Sequence, residues 1–210
     1  MDTTSRPAAI ALGIRLEVLT VIWMAVEAGV ALAAAVMAGS VLLAAFGFDS
    51  VVELMSGIVL LWRLSAEAKG AGTERVERLE LLTARISAAL LILLCLFVAI
   101  SSVAGLAAGF KPSDSPLGLA VAAVAVVAMP LLALAKARAN RSIGSASLRA
   151  DIAETVTCAY LAGVTLAGVA LSLAFGLWWI QYLCAIALLI WLVPETREAL
   201  EASRGSHDHT

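Results

Sequence analysis

An all-α, polytopic membrane protein of six helices is the fold the sequence predicts, and three observations carry that reading. Of the 210 residues, 62% are hydrophobic and 14% charged, and the mean hydropathy of +0.99 exceeds what a water-soluble domain of this size carries. Six apolar runs, at 18–39, 41–62, 86–110, 117–135, 152–174 and 177–193, are long enough at about 1.5 Å per residue to cross, or nearly cross, a hydrocarbon core of roughly 30 Å. No run alternates in the manner of a lipid-facing β-strand, and lipid offers backbone N–H and C=O groups no partner, so every span reads as a helix. The net charge of −2 leaves no basic surface with which to neutralise phosphates, which excludes nucleic-acid binding.

Each element follows from the chain in order. Residues 1–17 form a segment ahead of the first span. The first span is not a cleavable leader, because its apolar run is too long and Glu27 interrupts its middle. Gly39 and Ser40 make a tight hairpin into the second span. The long connection 63–85 includes a charged stretch at 73–85, read as a helix running into the third span with Thr73 as its N-cap and a Glu74 to Arg78 pair along its surface. Lys111-Pro112-Ser113-Asp114-Ser115-Pro116 stops the third span and starts the fourth, in which Pro130 predicts a kink. A second long connection is expected at 136–149. In the fifth span Ala159, Gly163 and Ala167 recur every four residues, as Ala120, Val124 and Ala128 do in the fourth, a pattern that lets helix backbones approach. Gly176 turns the chain into the sixth and shortest span, and 194–210 form a tail. The region 18–193 is thus a transmembrane domain between two short cytoplasmic segments.

Thirteen of the 14 Lys and Arg residues lie on the side of the long connections and the termini, with Lys111 alone on the other. That split places both termini in the cytoplasm, and the Ala-rich composition points to a bacterial inner membrane. The three cysteines, Cys95, Cys158 and Cys184, fall within apolar runs, which argues for reduced thiols rather than a disulfide framework.

Four acids lie within the spans: Glu27, Asp49, Glu53 and Glu154. A carboxylate near the bilayer centre costs on the order of 3 kcal/mol, so it marks a cavity, a partner or an ion. Helical rise puts all four at overlapping depths around the midplane. Asp49 and Glu53, four residues apart, share one face of the second span with Ser56, and Asp151, Glu154 and Cys158 share a face of the fifth. With no Lys, Arg or His expected within the spans, charge compensation has to come from protons or from a metal ion. Two acids from one helix with an acid and a thiol from another supply four ligands in number and kind suited to a transition metal. Alternatives remain at each residue. Asp49 and Glu53 can form a protonated hydrogen-bonded pair, Glu154 can face the loop, and Cys158 can be an apolar filler. Glu27 reads either as a ligand or as a group that supports the ligands or relays protons, and Asp151, next to Arg149, as a cap or helix-dipole partner.

These residues resemble the transmembrane domain of the cation diffusion facilitator, or cation efflux, family, which exports divalent metals in exchange for protons. The resemblance spans the six-helix core and is carried by Phe46-Gly47-Phe48-Asp49-Ser50-Val51-Val52-Glu53-Leu54-Met55-Ser56 and by Ser147-Leu148-Arg149-Ala150-Asp151-Ile152-Ala153-Glu154-Thr155-Val156-Thr157-Cys158. It implies a metal site at Asp49, Glu53, Glu154 and Cys158, with Glu27, Asp151 and Ser56 around it, and a homodimer. Glu154 and Cys158 stand where the family commonly has His and Asp, and Gln181-Tyr182 where it usually has Asp-Pro. The family's cytoplasmic metal-binding domain and its His-rich loop have no counterpart, and His207 and His209 in the tail read as a solvated end.

The expected function is therefore proton-coupled efflux of zinc or, on the same ligands, iron(II), cobalt(II) or manganese(II), with no tightly bound cofactor. The rival is a non-transporting relative that binds a metal or a partner protein as a regulator. No His-Glu-x-x-His pair, no Gly-x-Ser-x-Gly elbow and no intramembrane His supports an enzyme.

Overall fold

In a computed structural model the described residues, 5–68, 74–144 and 146–204, form six helices. They are α1 Ser5–Ala38, α2 Val41–Ala68, α3 Glu74–Ala108, α4 Pro116–Ile143, α5 Ala146–Phe175 and α6 Ile180–Arg204. The first five contain stretches long and apolar enough to cross a membrane, the fourth of them running the full length of α4. The sixth does not join them on length and composition. Its apolar run ends at Pro194, and the helix continues through Glu195, Arg197 and Glu198.

Turn chemistry sets the hairpins. Gly39 adopts a φ of +62, where a Cβ would also stand 3.0 Å from the ring of Phe110, so glycine alone ends α1 here without strain. Ser113 N–H donates to the Ala38 carbonyl at 2.8 Å, tying the α3–α4 turn to the end of α1. Ser115 caps α4 by accepting from Gly118 N–H at 3.1 Å, with Pro116 as the first helical residue. At the far end of α4, Gly144 in the left-handed region donates to the Asn140 carbonyl at 2.8 Å.

Contacts along the helices define two ends of the bundle. At the hairpin end, Gly39 meets Phe110, Leu43 meets Gly118, and Gly105 meets Tyr182. At the opposite end, which holds both ends of the described chain, Leu60, Leu64, Ile143 and Leu148 form a small apolar cluster beside Gly13. Helix α2 packs on α1, α3, α5 and α6, while α1 also meets α4, α4 meets α5, and α3 meets α6. The main core, with Met24, Phe46, Met129, Leu161 and Leu188 fully buried, fills the space around α2.

Several expectations are corrected. The connection expected at 136–149 is mostly helix, because α4 runs to Ile143 and α5 begins at Ala146. The segment 1–17, for which the sequence carried no expectation of local structure, is helical from Ser5 onward. The small-residue stripes face outward: Ala120, Val124 and Ala167 are exposed and a Cβ at Gly163 would touch nothing. The inward rows are instead Val121, Ala125 and Met129 on α4, and Leu161, Thr165 and Gly168 on α5, where a Cβ at Gly168 would lie 2.5 Å from Leu42. The charged stretch before the third span is helical from Glu74, whereas Thr73, the side chains of Glu74 and Arg78, and His207 and His209 lie outside the described residues.

One close approach has a direct consequence for stability. A Cβ at Gly105 would sit 2.5 Å from the Tyr182 ring, and Tyr182 is held in place by its hydroxyl donating to the Phe110 carbonyl at 2.9 Å. A rigid, bonded ring cannot yield as a flexible side chain does. Gly105→Ala is expected to cost about 1–3 kcal/mol and to lower the melting temperature in detergent; an unchanged melting curve would contradict this packing.

Candidate ion site

The buried face of α1 runs Glu17, Thr20, Met24, Glu27 and Ala31, spaced three or four apart. It brings Glu27 against α2 and α5. Glu27 accepts from Trp23 Nε1 at 2.6 Å and from Ser50 Oγ at 2.8 Å, and the Cys158 thiol points to its Oε1 at 3.6 Å. Cys158, fully buried, also reaches Glu53. Glu53 is itself buried, and its Oε1 has no hydrogen-bond partner among the described residues.

Asp49 lies one turn away from Glu53 on α2, 5% exposed, and is repelled by Glu195, Glu53, Glu27 and Glu154. Glu154 is half-buried on α5 and repelled by Glu53, Asp151 and Glu195. The structure thus gathers Glu27, Asp49, Glu53, Glu154 and Cys158 into one acidic interior. Among the described residues, however, no three of their ligand atoms converge tightly enough to chelate an ion. Ser56, on the same helix, is half-buried.

Asp151 has a different role from a helix cap. It lies inside α5, 5% exposed, and accepts from Lys136 Nζ at 2.6 Å. The same ammonium stands 3.1 Å from Glu17 Oε2. The expectation that no cation lies within the spans is therefore wrong. Lys136 is 1% exposed on the row Val121, Ala125, Met129, Leu132, Lys136 of α4, a periodicity that continues past the last apolar run.

Two further groups lie nearby, Gln181, which the sequence marks only as a departure from the family pattern, and Glu195, which escaped the sequence reading. Gln181 is 4% exposed and bonded at both ends of its amide: its Oε1 accepts from Ser40 Oγ at 2.8 Å and its Nε2 donates to Ser172 Oγ at 2.9 Å. It ties the α1–α2 turn to α5 and α6. Glu195 continues the row Leu188, Leu192 of α6, and its Oε2 is buried without a partner among the described residues. One residue past Pro194 and beyond the apolar run, burial followed by repulsion from Glu198 pushes its carboxyl up to about 7 from 4.5. A raised folded-state value means the native protein holds this proton more tightly than the unfolded chain. The associated stability is full below pH 4.5 and is lost as pH rises through about 7. Glu195→Gln is expected to flatten the fall in melting temperature over that interval; a slope identical to the native one would refute it.

Comparison with known proteins agrees with this architecture. An uncharacterized transporter of Synechocystis sp. is 28% identical over 163 residues, which cover 76% of this chain and 53% of that protein. The chain thus spans about half the length of that relative. The family model describing the cation efflux transmembrane domain matches residues 18–204, from within α1 to the end of α6, and by that match the chain belongs to the cation efflux family.

Proposed function

We propose that this protein carries a divalent transition-metal cation across the membrane in exchange for protons, with Asp49, Glu53, Glu154 and Cys158 as the ligands of the moving ion. The observation that carries the reading is the charge imbalance of the interior. Glu27, Glu53, Glu154 and Glu195, from four helices, all repel a charge on Asp49, and the one buried Lys among the described residues is already held by two other acids. Like charges in a medium of low dielectric are tolerated only with protons or a cation among them.

Carboxylates with one thiol suit zinc, iron(II), cobalt(II) or manganese(II), and the thiol tilts the preference to zinc. Protons and metal compete for the same oxygens, which couples their movements. Because the ligands do not converge in this conformation, ion capture requires α2 and α5 to close on the cargo, and alternation between closed and opened ends follows the general pattern of carriers with midplane sites. Both termini in the cytoplasm and a homodimer built within the membrane belong to the same reading.

Liposomes reconstituted with the protein and loaded with metal-sensitive and pH-sensitive dyes test it. Zinc entry accompanied by opposite proton movement is the expected result. Zinc binding without flux of any of the four ions would overturn transport in favour of a regulatory metal binder.

A further inference from the structure

We infer that Lys136 is a tethered cation that shuts the path to the ion site from the end of the bundle where the chain termini lie, and that it has to release Glu17 and Asp151 before a free cation reaches Glu53 and Glu154. The inference rests on the ion-site reading above, and it adds a residue and a role outside that site.

The geometry is that of a plug. Lys136 Nζ bridges Glu17 on α1 and Asp151 on α5 at 3.1 and 2.6 Å, with relative exposures of 1%, 0% and 6% for the three side chains. Helix α2 completes the enclosure at Gly57, where a Cβ would stand 2.9 Å from Glu17 Oε1. Four helices therefore meet around the triad. Its depth is set by the helical rise. On α5, Asp151 precedes Glu154 by about 4.5 Å and Cys158 by about 10 Å, and on α1, Glu17 precedes Glu27 by about 15 Å. The triad thus lies between the terminal end of the bundle and the acids of the site.

Its charge is directed at those acids. Lys136 attracts both Glu53 and Glu154, while Asp151 repels them. Two carboxylates around one ammonium leave one acid whose charge has to be met by a proton or by an arriving cation. An ion that takes over these oxygens frees the lysine, whose long flexible stem can withdraw without moving the helix. Without such an ion, opening would strand buried charges, so the mouth stays closed. Cargo itself is the key to this closure.

The rate at which a water-soluble methanethiosulfonate modifies Cys158 in detergent reads the closure without requiring flux. Cys95→Ala and Cys184→Ala provide the background. The neutral triple variant Glu17→Gln, Lys136→Met, Asp151→Asn buries no unpaired charge and is expected to react at least about fivefold faster than native, whereas the swap Lys136→Asp with Asp151→Lys, which restores an ion pair, is expected to react near the native rate. A native rate in the triple variant, or a fast rate in the swap, overturns the inference. Should the triple variant not fold, Asp151→Asn alone, with Glu17 still holding Lys136, is expected to react about twofold faster, and an unchanged rate overturns it equally. The ion site is read separately by zinc, which should protect Cys158 in the native protein but not in Asp49→Asn. Loss of that protection in the native protein would remove the ion site while the triple variant still reports the closure.

Discussion

Neutralising Asp49 and Glu53 together, by Asp49→Asn and Glu53→Gln, is expected to reduce metal movement in liposomes to the level of protein-free vesicles. Both substitutions keep side-chain volume, and both relieve repulsion within an interior that Glu27, Glu154 and Glu195 also crowd. The variant should therefore fold at least as well as the native chain, which makes its inactivity informative. Each replaced carboxylate removes a negatively charged oxygen pair from the cargo's coordination shell, and an amide oxygen is a far weaker ligand for a transition metal. Glu154 and Cys158 alone supply two ligands, fewer than the roughly three or four protein ligands of structural and catalytic zinc sites. Full-rate metal movement by the double variant would show that the ion travels elsewhere.

Lys136→Met is expected to be the most destabilising single substitution in the protein. It leaves Glu17 and Asp151, 0% and 5% exposed, facing each other without their cation. Breaking a buried charge pair by removing one partner costs about 3–5 kcal/mol, because the surviving charge stays desolvated. The melting temperature in detergent should fall by on the order of 10 °C. Removing all three charges together restores most of that loss, since the network itself contributes little beyond what packing could supply. A single substitution that melts with the native protein would mean that both acids are protonated already and that the ammonium is not their partner.

Most of the helices were legible because lipid imposes a length and a composition that show directly in the sequence, as in 86–110 and 152–174, and the hairpin at Gly39-Ser40 follows from turn chemistry. Asp49, Glu53 and Glu154 stood out for the same reason, since an acid in an apolar run is conspicuous, whereas Cys158 stood out only by its spacing from Glu154. Glu17, Lys136 and Glu195 were hidden by that very criterion. Each lies just past an apolar run, where a charge reads as the membrane boundary, although each helix continues inward-facing for one or more further turns. The signal that would have found them is periodicity rather than hydropathy, since all three prolong a buried row spaced three or four apart. Which acid meets which lysine was not legible at all, because it depends on α1, α4 and α5 being neighbours, a fact of tertiary packing.

The hydrogen bond from the Trp23 indole to Glu27, at 2.6 Å, gives this protein an optical reporter of its own. Indole emission responds to the charge and polarity immediately around the ring, and the far side of the Glu27 carboxylate faces the Cys158 thiol. A charge arriving at that thiol would alter the field on the chromophore through a single carboxyl group. The difference in fluorescence between the native chain and Trp23→Phe therefore isolates one of the protein's five tryptophans as a label-free probe of what occupies its interior.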